Sequence, residues 1–157
     1  MRKLFALLVA VSLAIMPDAR AVSMKGTQGQ VLAVSATSAK SGSTITVSGN
    51  HFDETVGLYL AFCVTPKKRK LPTPCGGGMN QTGLANASLW ISSNPPPYGV
   101  GLAREFLPGG RFKAKVLISK KIGKFDCTKV KCSITVRADH LRSQDRSYDM
   151  FIPIKVK

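Results

Sequence analysis

An all-β sandwich is the fold this sequence predicts, on three observations. Seven short stretches alternate apolar and polar residues with period two, the mark of strands that bury one face. Clusters rich in Gly, Pro, Ser, Asn and Asp separate them. No stretch keeps a 3.6-residue period long enough for a helix, and no internal repeat is evident.

From the N-terminus, Met1-Arg2-Lys3 is a short basic start, Leu4 to Met16 is an apolar run of 13 residues, and Pro17 breaks it before Ala19-Arg20-Ala21. That is the pattern of an export signal with a small-x-small cleavage site. Thirteen apolar residues are too few to span a hydrocarbon core, which takes about 20. Residues 1–21 are therefore expected to be removed, leaving one domain over 22–157 with room for a single core and no transmembrane segment. The strands are expected at Gln30 to Thr37, Thr44 to Asn50, Val56 to Cys63, Ala85 to Ile91, Arg111 to Ser119, Cys132 to Arg137 and Met150 to Val156. The turns between them fall at Ser41-Gly42-Ser43, His51-Phe52-Asp53-Glu54, Gly76-Gly77-Gly78, Asn94 to Gly101 and Pro108-Gly109-Gly110. In Arg111 to Ser119 the residues Phe112, Ala114, Val116 and Ile118 share one face, which leaves Arg111, Lys113 and Lys115 facing solvent.

Composition narrows the function classes. With 157 residues, 44% apolar and 20% charged, the chain is too short for a multidomain enzyme and too apolar for disorder. Its net charge of +15 becomes +13 once residues 1–21, with Arg2, Lys3, Arg20 and Asp18, are removed. Four cysteines, Cys63, Cys75, Cys127 and Cys132, form an even set that suits an oxidising compartment. The local pairing Cys63–Cys75 and Cys127–Cys132 is the simplest of three connectivities. No CxxC spacing occurs and both histidines, His51 and His140, stand far from the cysteines in sequence, so neither a metal nor a cofactor is expected.

The candidate chemistry is thin. Asp139-His140 with Asp145 and Asp149 could form an acid/base cluster, but Arg142 and Arg146 interleave at pairing distances and no nucleophile is marked. A salt-bridged, solvated loop is the expected state of this segment, and His51 is read as a turn residue. Lys67-Lys68-Arg69-Lys70, together with Arg111, Lys113, Lys115, Lys120, Lys121 and Lys124, forms a candidate basic surface for an anionic partner. No aromatic residues interleave with these lysines to stack bases, so any nucleic-acid contact would be non-specific and salt-sensitive. Pro95-Pro96-Pro97-Tyr98 reads as a stiff connection and Trp90 as core or cleft wall.

Several of these segments bear on a family. Asp126-Cys127-Thr128-Lys129-Val130-Lys131-Cys132, of the form Asp-Cys-Thr-x-x-x-Cys, resembles the second disulfide hairpin of the neocarzinostatin-type apoproteins of actinobacteria. Ser41 to Phe52 is similar to the second strand of these domains, and Cys63 with Cys75 to their first disulfide. Trp90-Ile91-Ser92 with Asn94 to Gly99, and the segment Arg137 to Asp149, resemble related actinobacterial surface modules. The resemblance implies a seven-stranded immunoglobulin-like Greek-key sandwich without catalytic machinery, whose best-known members carry an enediyne chromophore in a cleft. Three places depart from the carriers: Ser119 to Phe125 is short and basic where they have an aromatic-rich loop, Arg137 stands where they have a small serine, and Val64-Thr65 where a cleft aromatic would be.

The expectation is an exported, non-enzymatic binding protein, extracellular or envelope-associated. It would take a small apolar ligand in a cleft lined by Trp90, Tyr98, Phe106 and Arg137, an anionic envelope polymer on the basic surface, or both. The alternative is a neocarzinostatin-type carrier of an antibacterial, DNA-directed chromophore.

Overall fold

A computed structural model describes residues 21–68, 70–76 and 88–157 of the chain. Residues 1–20 of the expected export signal, Arg69 and the first three residues of the strand predicted from Ala85 lie outside the described residues. The strands, in chain order, are β1 (Val22–Lys25), β2 (Val31–Val34), β3 (Ser38–Ala39), β4 (Thr44–Asn50), β5 (Leu58–Val64) and β6 (Ser88–Ile91). They continue with β7 (Phe112–Leu117), β8 (Lys121–Ile122), β9 (Phe125–Asp126), β10 (Cys132–Ala138), β11 (Met150–Pro153) and β12 (Lys155–Val156).

Two antiparallel four-stranded sheets face one another, ordered β1-β2-β4-β7 and β11-β10-β5-β6. The chain crosses between them from β4 to β5, returns from β6 to β7, and crosses again from β7 to β10, which is the Greek-key pattern of an immunoglobulin-like sandwich. Alternation decides which side chains fill the space between the sheets. Ile45 and Val47 of β4 and Phe112, Ala114 and Val116 of β7 point in, while Lys113 and Lys115 point out. From the other sheet come Leu58, Leu60 and Phe62 of β5 and Ile134 and Val136 of β10, none with any exposed surface. Burial of each such side chain contributes roughly 1.5–3 kcal/mol, so this inner layer holds the sheets together. Among the described residues no helix is long and apolar enough to cross a membrane.

Both cysteine pairs are the local ones, Cys63–Cys75 and Cys127–Cys132. The second is buried in the core. Two strand readings change. The strand expected at Gln30 to Thr37 shortens to β2, with the separate β3 following at Ser38–Ala39, and Met150 to Val156 divides at Ile154, where the chain leaves β10 and β12 pairs in parallel with β3. Around the basic stretch Ser119 to Phe125, β8 and β9 pair as a hairpin about Gly123, whose φ of 55° suits a residue without a Cβ. β1 escapes sequence reading because all four of its residues are exposed.

Candidate functional site

The outer face of the β11-β10-β5-β6 sheet is where side chains with binding chemistry gather. Its register sets Trp90, Tyr59 and Arg137 side by side across β6, β5 and β10, and Ser88, Ala61 and Thr135 in the row beside them. An outward face would normally be solvated, yet Tyr59, Ala61, Cys63, Ser88, Trp90 and Thr135 are all buried. Among the described residues, Leu71, Pro72 and Thr73 stand against that face. Beyond β5 the backbone turns back, and Val64 N–H donates to Pro74 O at 3.0 Å, Gly76 N–H donates to Phe62 O at 2.7 Å, and the Cys63–Cys75 disulfide fastens the return. Between this strap and the sheet lies a cavity of about 170 Å³, walled by Tyr59, Ala61, Cys63, Leu71, Pro72, Thr73, Cys75, Ser88, Thr135 and Arg137. Pockets for drug-sized ligands run to about 300–1,000 Å³, so this one suits a compact molecule or one end of a larger one.

Arg137 is the charged group in that wall. Its guanidinium carbon lies 4.9 Å from the centre of the Tyr59 ring, a cation–π geometry. Burial lowers its pKa from the ordinary value, with the Arg146 charge adding to the effect, and the side chain remains a cation. Burial likewise raises Tyr59, helped by the negative charge of Asp139.

A polar clasp closes the end of the face next to the cavity. Trp90 Nε1–H donates to Asp139 Oδ2 at 2.9 Å, and the Leu141 N–H donates to the other oxygen at 3.0 Å. The Trp90 ring lies over Gly99, where an added Cβ would come within 2.4 Å of it. His140 sits between two tyrosines, Nδ1 2.6 Å from the Tyr59 hydroxyl and Nε2 2.6 Å from that of Tyr98. One ring nitrogen must donate and the other accept if the imidazole is neutral, so the two hydroxyls take opposite roles.

The four residues expected to line a cleft therefore separate. Arg137 lines the cavity, while Trp90 and Tyr98 belong to the clasp beside it. Phe106 is elsewhere, a correction to the sequence reading. It lies in the core between the sheets with its ring 6.3 Å from that of Phe112, because Arg104 pairs with the backbone of Trp90 and Ser92 and turns the following residues inward. The acid/base cluster does not assemble either. Asp139 is buried and held by Trp90, Asp145 accepts from Ser147, and Asp149 pairs with Arg146 at 3.2 Å. The salt-bridged loop is present in that last pair, but the expectation of a solvated segment fails at Asp139, which is 1% exposed. His51 is a turn residue with φ 59°, its N–H donating to Asn50 Oδ1.

The candidate basic surface is not one face. Lys113 and Lys115 stand on the outside of β7, and the Arg111 guanidinium bonds Pro108 O near the opposite end from the other lysines. Those others converge on one end of the sandwich. Thr65 N–H donates to Lys131 O, which sets the loop bearing Lys67, Lys68 and Lys70 beside the Cys127–Cys132 loop. Lys120 N–H donates to Ser41 Oγ, bringing Lys120, Lys121 and Lys124 to the same end. Its acidic residue is Asp126, paired with Lys121 at 3.2 Å and held well below the usual carboxylate range by the Thr128 side chain and backbone. Asp53, Glu54, Asp139, Asp145 and Asp149 all occupy loops at the far end.

Among the described residues, no three of His, Cys, Asp and Glu are placed to share a metal ion. His140 was noted in sequence only as a member of the acid/base cluster, and Tyr59 and the strap were not singled out at all. The signal that could have found those two is the run Leu58–Val64, apolar at every position but Tyr59, because such a run marks a strand covered on both faces.

No family model and no curated protein matches the chain. Among solved structures it is similar to macromomycin, at 13% sequence identity and a TM-score of 0.50, over 82% of this chain and 99% of macromomycin. At that identity the likeness shows the fold alone, the disulfide-bonded all-β sandwich of the neocarzinostatin type.

Proposed function

We propose that this protein is an exported, non-enzymatic binding protein that holds a small, largely apolar molecule against the outer face of the β11-β10-β5-β6 sheet. The observation that carries the reading is the cavity of about 170 Å³ beneath the disulfide-fastened strap, on a sheet face whose side chains are buried without being part of the core. Folding would not leave such a cavity under a covalent strap for stability alone, since an unfilled void forfeits packing contacts. The macromomycin-like fold is consistent with a carrier, and the export-signal pattern and paired cysteines with an extracytoplasmic address. Trp90, one residue across the sheet from Tyr59 of the cavity wall, is a built-in reporter. Titrating the purified protein with small apolar compounds should change its fluorescence; no response across a varied panel would overturn the reading.

A second reading is favoured by the separation of charge. Lysines from three loops share one end with Asp126, and five acids share the other, so the lysine end would hold an anionic envelope polymer. Co-sedimentation with poly(glycerol phosphate) should weaken steeply with added salt and on Lys67→Gln/Lys68→Gln/Lys70→Gln, but little on Lys113→Gln/Lys115→Gln. Equal losses for both variants would reduce the effect to net charge.

A further inference from the structure

The cavity wall combines two chemistries that a purely apolar ligand would not use together. Ala61, Leu71 and Pro72 are apolar, whereas Arg137 places a cation in the same wall with the Thr135 hydroxyl in the neighbouring row. The protein does not neutralise that cation through an ion pair. Among the described residues no carboxylate lies within 4.0 Å of Arg137, and the acids of the nearby loops have other partners: Asp149 has Arg146, and Asp139 has Trp90 and Leu141. Of its five N–H donors, one makes a hydrogen bond among the described residues, Nη1–H to Ala138 O at 3.3 Å. A partly buried guanidinium pressed on the Tyr59 face therefore retains both its charge and most of its donor capacity, in a place where water is scarce.

Resting on the reading of the cavity as a ligand site, we infer that its ligand is a carboxylate with an apolar body. The carboxylate sits against the Arg137 fork, and the body lies along Ala61, Leu71 and Pro72 beneath the strap. The planar fork matches the two oxygens of a carboxylate, and loss of solvent strengthens a charge-assisted pair. The volume sets the scale of what is enclosed, a single ring or a short branched chain.

The test uses benzoate and its neutral isostere benzamide, titrated into the intact protein and followed by Trp90 fluorescence and by NMR shifts of the Ala61 and Leu71 methyl groups. Benzoate should bind more tightly than benzamide. Arg137→Gln should weaken benzoate about tenfold to a hundredfold and benzamide far less. Arg137→Lys, which keeps the charge but not the fork, should fall between them and guards against misfolding of the first variant, as does an unchanged thermal melt. If both compounds bind equally and Arg137→Gln alters neither, the cavity reading stands and the carboxylate inference is overturned. Benzoate binding that survives Arg137→Gln, or that shifts no cavity methyl, places the anion elsewhere and overturns it too. If neither compound binds, the inference falls together with the cavity reading.

Discussion

Replacing Trp90 by Phe isolates the bond on which the clasp depends. Trp90 is 5% exposed and Asp139 1%, and the indole N–H is one of two donors on that carboxylate, at 2.9 Å. A hydrogen bond to a charged group contributes about 1.5–3 kcal/mol, and its loss leaves Asp139 Oδ2 buried without a partner. The smaller ring also vacates space against Gly99, worth about 1 kcal/mol if the site collapses in part. The expected total is about 3 kcal/mol, which for a domain of this size lowers the melting temperature by about 10 °C. Because the substitution removes the fluorophore, urea unfolding is followed by far-UV circular dichroism. A double-mutant cycle with Asp139→Ala should return a coupling of about 1.5–3 kcal/mol. A loss below about 0.5 kcal/mol for Trp90→Phe, or a coupling near zero, would refute the claim that this bond holds the clasp.

The two disulfides should separate by loop size and by consequence. With sequence separations of 12 and 5, chain entropy assigns about 3 kcal/mol to Cys63–Cys75 and about 2 kcal/mol to Cys127–Cys132. Urea midpoints of the paired Cys→Ala variants should fall in that order, and the first pair alone should release the strap and abolish cavity binding. For pH, burial raises Asp149 from 3.8 to about 6 against the opposing pull of Arg146. As pH rises from about 4 to 6 the unfolded carboxyl therefore loses its proton before the folded one, and stability falls. Relative to the wild type, Asp149→Asn should gain up to about 3 kcal/mol between pH 4 and 7; a constant difference across that window would contradict the burial argument.

Most of the sandwich could be read from alternation because the first sheet is covered on one side only. In β4 the burial follows the sequence residue by residue, with Ile45 and Val47 in and Thr44, Thr46 and Ser48 turned away. What stayed hidden are elements fixed by pairing and not by burial. β1 has no buried residue to set a period, and β3 and β12 are two residues each, held by a parallel bridge between distant parts of the chain. Hairpin β8–β9 was masked by its lysines, although Ile122 is buried and Gly123 marks its turn.

The candidate site was legible only in part. Arg137 drew notice because it stands where the carriers of the resembled family have a small serine, and the structure places it in the cavity wall. Phe106 misled: in a loop rich in Gly and Pro it reads as a cleft residue, but the backbone of Arg104, two residues before it, is tied to β6 and the Phe106 ring is needed in the core. Tyr59 and His140 meet across 81 residues, and nothing in either local sequence carries that contact. The same holds for the strap, whose position follows from Cys63 pairing with Cys75 on the outward side of β5. Once that disulfide is assigned, the chain after Val64 must return alongside β5, where Cys75 bridges Cys63. Strand register sets Tyr59, Ala61 and Arg137 together on the outer face, and the disulfide adds Leu71, Pro72 and Thr73 as the opposite wall of the cavity.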